Sequence, residues 1–206
     1  MRDPNFVTEL ATRPQSAVHP ARKAMIDSQL RTSGINAPFV LDRMAAVARE
    51  DFVPETSRAV AYIDRAIALG DGKWLAAPLV QGAMLQEAAP TPADKALLVD
   101  GGSGYLAELL RPLVATLDVI SAEEVIKSGR KGPYDLIVVD GAAEMLPDAL
   151  AKRLADDGRI VTGTVSQGIT RLAVGRRVGK TLALMPVEDM GIPRLAQFDA
   201  PKGWSF

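Results

Sequence analysis

The chain has 206 residues, 48% of them hydrophobic, enough material for the core of one α/β domain. Its 24 basic and 25 acidic side chains leave a formal net charge of −1, which supplies no electrostatic pull toward nucleic acid or an anionic membrane. The absence of cysteine excludes disulfides, thiolate metal sites and cysteine nucleophiles, and the single histidine, His19, lies in a Pro-, Arg- and Ser-rich stretch that reads as a solvated loop.

Residues 1–20 contain Pro4, Pro14 and Pro20 and read as an irregular arm. The charged start MRDPNFVTEL has no apolar signal core, and no run of about 18 apolar residues follows, so a cytoplasmic chain without a membrane span is expected. Met25, Ile26, Gln29 and Leu30 recur at three- and four-residue steps, predicting a helix over 21–33 that Gly34 ends. A second helix is expected over 38–48, capped by Asn36 and striped by Val40, Leu41, Met44 and Val47, before Pro54 forbids continuation. Gly70-Asp71-Gly72 signals a turn, and 81–87 read as helix.

The sharpest change of pattern follows. Residues 96–99 form a short buried-strand run, then come Asp100-Gly101-Gly102-Ser103-Gly104-Tyr105, then a helix over 106–113. Strand, glycine-rich turn and helix open a nucleotide-binding βαβ unit. Strands are expected at 116–120, 136–139 and 159–165, with helices at 123–131 and at 145–154, the latter ended by Gly158. Residues 170–178 and 181–187 read as a hairpin about Gly179-Lys180. The alternation predicts an α/β fold with a mostly parallel sheet and an antiparallel C-terminal hairpin. It divides into a helical part (21–90) and a sheet core (91–206) of one domain.

The glycines have two readings. They can be a plain structural turn, or they can let a ligand approach the backbone beside the unpaired N–H groups of a helix N-terminus. On the second reading the candidate binding residues are Asp100, Gly101, Gly102, Ser103 and Gly104, joined by Asp140, whose Asp140-Gly141 pair ends a later strand at the same sheet edge.

Taken in order, ARKAMIDSQLRTSGI, REDFVP, AYIDRAIALGDG, GGSGYLAELL, YDLIVVDGAA, DDGRIV and FDAPKGWSF make the chain resemble the protein-L-isoaspartate O-methyltransferase family from about Ala21 to Phe206. The resemblance implies a Rossmann-like methyltransferase fold with S-adenosylmethionine as cofactor. It implies methyl transfer to isoaspartyl carboxylates of damaged proteins by a monomer. Several positions depart from the family pattern. Where the family loop reads G-Q-T-I-S-Q-P this chain has GKWLAAP, which places Ala76 at the serine position and leaves no confident catalytic residue. Where the family reads E-I-G-T-G-S-G this chain has LVDGGSG, with Leu98 for the acid and Asp100 for the first glycine. The acid that holds the ribose hydroxyls is missing after Ile120, with Glu123 as a displaced substitute. Only 14 residues separate Ile120 from Asp135, against ~30 or more for a helix-strand-helix passage, so one strand-helix unit is expected to be absent. Two functions stay open on these residues: an active methyltransferase, or a degenerate member serving as a binding domain. Trp74 reads as a lid over the cleft or as packing, Asp64-Arg65 as part of the family pattern or a surface ion pair, and Arg176, Arg177 and Lys180 as a solvated basic turn.

Overall fold

The computed structural model describes residues 19–127 and 132–201. Most of the expected N-terminal arm, the end of the helix expected over 123–131 and the tail of FDAPKGWSF lie outside the described residues. The fold grows from β3 (Lys95–Asp100) and β5 (Tyr134–Ala143), which pair in parallel through Ala96–Leu136 to Val99–Val139. β4 (Thr116–Ser121) adds to the other side of β3, and β6 (Leu154–Ser166) to the other side of β5, both parallel. β7 (Ile169–Val178) and β8 (Thr181–Asp189) complete a six-stranded sheet of order β4-β3-β5-β6-β7-β8, and their two junctions are antiparallel.

The apolar runs that predicted buried strands are buried on both faces. Ala96, Leu98, Leu136, Val138 and Val161 point to one side of the sheet, against α1 (Pro20–Met25), α2 (Pro38–Ala46), α3 (Pro78–Ala88) and α4 (Tyr105–Leu110). Leu97, Val99, Ile137, Val139 and Ile160 point to the other, against α5 (Ala122–Lys127), α6 (Asp148–Arg153) and Phe198. Cover on both faces is why these strands read as continuous hydrophobic runs rather than alternating ones. The helical N-terminal part shares the first of these cores with the sheet.

Several elements differ from expectation. His19 is not a free loop residue: its Nδ1 accepts from the Ala21 N–H (3.3 Å) at the start of α1, and its ring stacks on Tyr62. Pro20 belongs to α1, whose chain continues as a π turn and a 3-10 turn to Ser33, where Gly34 in the left-handed region ends it as predicted. Asn36 does not cap α2. The cap position is Ala37, and the Gln86 side chain accepts the N–H groups of both residues (3.0 and 3.1 Å). A small antiparallel hairpin, β1 (Ile67–Gly70) and β2 (Lys73–Leu75), surrounds the predicted turn. The helix expected over 145–154 is shorter and gives way directly to β6. Gly158 therefore lies inside a strand, beside a bulge, where a Cβ would come within 2.9 Å of the Tyr134 carbonyl. Among the described residues no strand lies beyond β4, in agreement with the short passage between β4 and β5.

Candidate functional site

The carboxyl ends of β3, β4 and β5 meet at one edge, where parallel sheets place their ligand crevices. Three features shape the glycine turn there. Gly101 faces the backbone of β5: a Cβ would sit 2.4 Å from the Asp140 carbonyl oxygen, so this glycine serves strand packing. Gly102 has φ +105° and presents a bare face to the stem of Lys73 on β2. The Trp74 N–H donates to the Gly101 carbonyl (3.3 Å), tying the small hairpin to the turn.

Asp100 closes the turn on itself. Its carboxylate accepts the Gly102 N–H (2.9 Å) and the Gly104 N–H (3.1 Å), and the Ser103 hydroxyl accepts the Tyr105 N–H (3.2 Å). Burial nevertheless raises the Asp100 carboxyl above its ordinary range. The residue at the family's first-glycine position thus consumes N–H groups that a glycine would leave free.

Beside the turn opens a cleft of about 340 Å³, lined by Asp71, Lys73, Asp100, Gly102, Ser121, Glu123 and Glu124 among others. Trp74 does not cover it as a lid or pack in the core; the residue is 39% exposed and is not among those lining the cleft. Glu124 and Ser121 form a reciprocal cap at the start of α5, the Ser121 N–H donating to Glu124 (2.8 Å) and the Glu124 N–H to the Ser121 hydroxyl (3.3 Å). Glu123, the displaced candidate, reaches the cleft and accepts from the Gln197 amide (2.5 Å). Hydrogen bonds from its own N–H and from Ser121 and Gln197 hold its carboxyl below the usual range.

Beneath the turn lies a polar chain that the sequence did not reveal. Arg49, fully buried, donates to the Ala61 carbonyl (2.7 Å), to Gln81 Oε1 (2.7 Å) and to the Ala76 carbonyl, with its guanidinium 5.1 Å from the Tyr105 ring centroid. Gln81 Nε2 passes the contact on to Asp140 Oδ2 (3.1 Å). Burial lowers the Arg49 pKa to about 10. Burial, and then the Asp100 charge, pushes Asp140 up to about 7, while its Oδ1 has no hydrogen-bond partner. The one signal available was Gln81, a polar residue in the middle of the otherwise apolar run PLVQGAML.

Ala76 is 2% exposed and is held by its carbonyl rather than offered to the cleft. Asp64 accepts the Leu79 N–H (3.1 Å) and so caps α3, a use neither an ion pair nor a motif match anticipates. Of the basic turn residues, Arg177 pairs with Asp156. Of the predicted binding residues, the structure brings Asp100, Gly101 and Gly102 to the cleft wall, places Ser103 and Gly104 at the start of α4, and buries Asp140 behind Gly101.

The sequence profile of the family described as Protein-L-isoaspartate(D-aspartate) O-methyltransferase matches residues 21–131. A protein-L-isoaspartate O-methyltransferase of Roseiflexus sp. is 34% identical over 78% of this chain and 85% of its own length. This chain belongs to the protein-L-isoaspartate O-methyltransferase family. Relatives of the same name from Aeropyrum pernix and Methanoregula boonei are each 32% identical over 89% of the chain, and over 83% and 94% of their own lengths. Two solved structures share the Rossmann-like fold. A Plasmodium falciparum protein described as a protein-L-isoaspartate O-methyltransferase, solved with S-adenosyl-L-homocysteine, aligns with TM-score 0.67 at 18% identity over 85% of this chain and 98% of its own. Another protein-L-isoaspartate O-methyltransferase aligns with TM-score 0.71 at 13% identity over 86% and 67%.

Proposed function

We propose that this protein transfers a methyl group from S-adenosylmethionine to the side-chain carboxylate of isoaspartyl residues in damaged proteins. The observation that carries the reading is the open cleft between the glycine turn and the end of β4, at the edge where this fold places ligands. The residues fit the cofactor. Gly102 has no side chain to block the cleft and is covered only by the exposed Lys73 stem, Glu123 offers a carboxylate to the ribose hydroxyls, and Asp100 and Asp71 surround the cleft with negative charge that suits a sulfonium. The cofactor supplies an already activated methyl group. What remains for the chain is positioning, which alone can account for ~7–11 kcal/mol of a barrier. The Arg49–Gln81–Asp140 chain serves that end by tying the Ala76 carbonyl, at the family's serine position, to the buried end of β5. Because positioning is the task, alanine at position 76 does not by itself exclude the activity.

The degenerate, binding-only alternative finds no support among the relatives. We further infer that the protein acts as a cytoplasmic monomer; among the described residues no helix is long and apolar enough to cross a membrane. The test is a methyl-transfer assay with radiolabelled cofactor and two peptides that differ only in one aspartyl or isoaspartyl linkage. Label on the isoaspartyl peptide alone is expected. No label on either peptide, from protein that binds S-adenosylhomocysteine, overturns the activity while leaving the cofactor site intact.

A further inference from the structure

The cleft beside the glycine turn has an imbalance of charge. Asp71, Asp100, Glu123 and Glu124 line it, and Lys73 is the one cationic side chain that does so among the described residues. Two of the donors that a glycine turn ordinarily offers to an anion are already engaged, since Asp100 accepts both the Gly102 and the Gly104 N–H groups. An incoming carboxylate therefore meets another carboxylate at these two N–H groups. A ligand that carries a carboxylate next to a cationic centre needs a separate positive partner here.

Lys73 stands where that partner is needed. Its Cβ, Cγ and Cδ atoms lie 2.6–2.9 Å from the point a Cβ on Gly102 would occupy, so the stem rests flat on the bare face of the glycine. The backbone beneath it is anchored: β2 pairs with β1, and the neighbouring Trp74 N–H is bonded to the Gly101 carbonyl. The exposed side chain can swing while its Cα stays in place.

We propose that Lys73 is a specificity residue of this cleft: its stem leaves the face of Gly102 as the ligand enters, and its ammonium pairs with the α-carboxylate of an S-adenosyl amino acid. Asp100 then faces the α-ammonium group. The lysine takes over the anion-binding task that the turn's own N–H groups have given up to Asp100. The proposal rests on the methyltransferase reading above, and it concerns recognition of the amino-acid end of the cofactor.

Calorimetric titration of the full chain with two ligands tests it. S-adenosylhomocysteine has the carboxylate; 5′-methylthioadenosine keeps the nucleoside and the sulfur but lacks the amino-acid group. Lys73→Met retains the stem and removes the charge, and Lys73→Arg keeps the charge. A charge-assisted hydrogen bond of the ordinary strength sets the scale. Lys73→Met should weaken S-adenosylhomocysteine by about tenfold to a hundredfold and leave 5′-methylthioadenosine within about twofold, while Lys73→Arg keeps most of the affinity. Thermal unfolding of Lys73→Met should match the parent protein. An equal change for both ligands, or none, overturns the role of Lys73 and leaves the cofactor site standing. Failure of the parent protein to bind either ligand overturns the cofactor site and this proposal together.

Discussion

Asp140 makes the protein's stability depend on pH in a direction opposite to that of an ordinary paired carboxylate. It is 3% exposed, accepts one hydrogen bond from Gln81, faces the Asp100 carboxylate, and receives only partial compensation from Arg49. Burial and the Asp100 charge push it up to about 7, from an unfolded value near 3.8. Between those values the folded chain holds a proton that the unfolded chain has released, so the folded state binds more protons and stability falls as pH rises. A displacement of that size corresponds to about 4 kcal/mol at most, of which about 3 kcal/mol falls between pH 5 and pH 8. Asp140→Asn cannot ionise and keeps an oxygen for Gln81. Urea unfolding of both proteins confines the effect to Asp140 and the Asp100 carboxylate coupled to it, because titrating groups that do not sense the Asp140 charge cancel in the difference. The stability of Asp140→Asn relative to the parent should rise by roughly 2–3 kcal/mol from pH 5 to pH 8. A difference that stays constant across that range refutes the reasoning and means that Asp140 is ionised throughout.

Two glycines predict opposite outcomes for the same substitution. A Cβ on Gly82, inside α3, would meet Ile35 and Met44 at 3.5 Å, ordinary contact distance, so Gly82→Ala should stabilise the protein by ~0.5–1 kcal/mol and raise Tm by about 1–4 °C; a lower Tm in a thermal scan counters this. A Cβ on Gly101 would press on the Asp140 backbone at 2.4 Å, so Gly101→Ala should cost ~1–3 kcal/mol in urea unfolding and weaken S-adenosylhomocysteine binding, and an unchanged protein would show that β3 and β5 separate freely.

The parallel sheet was legible because residues 96–99 and 136–139 are apolar on both faces, and the C-terminal hairpin because Gly179-Lys180 sits between two strand-like runs. The short passage after Ile120 agrees with a sheet that, among the described residues, has no strand beyond β4. What stayed hidden was tertiary. β1 and β2 are four and three residues long, too short for any period to show. Gly158 has the look of a helix stop, yet its place is decided by a bulge against Tyr134. The candidate site was legible as a location, through the glycine turn, and not as chemistry. Whether Asp100 would greet a sulfonium or repel a carboxylate could not be read from LVDGGSG, because the answer depends on its own turn folding back to Gly102 and Gly104. Arg49 and Lys73 likewise owe their roles to partners distant in sequence, Ala61, Ala76 and Gln81 for the arginine and Gly102 for the lysine.

Among the described residues the sheet ends at β4. In an open parallel sheet the central pairs hold the fold, and a unit at the rim touches only one neighbour. Leaving such a unit out leaves the β3–β5–β6 pairings intact, so chain length can vary at this rim at little thermodynamic cost. The rim is also one flank of the cleft, where Val119 is 38% exposed and lines the space. Among the described residues no further strand closes that flank, so a ligand in the cleft meets β4, the start of α5, Leu195 and Gln197 there, and its shape is read by side chains on loops and a helix start instead of by a strand edge.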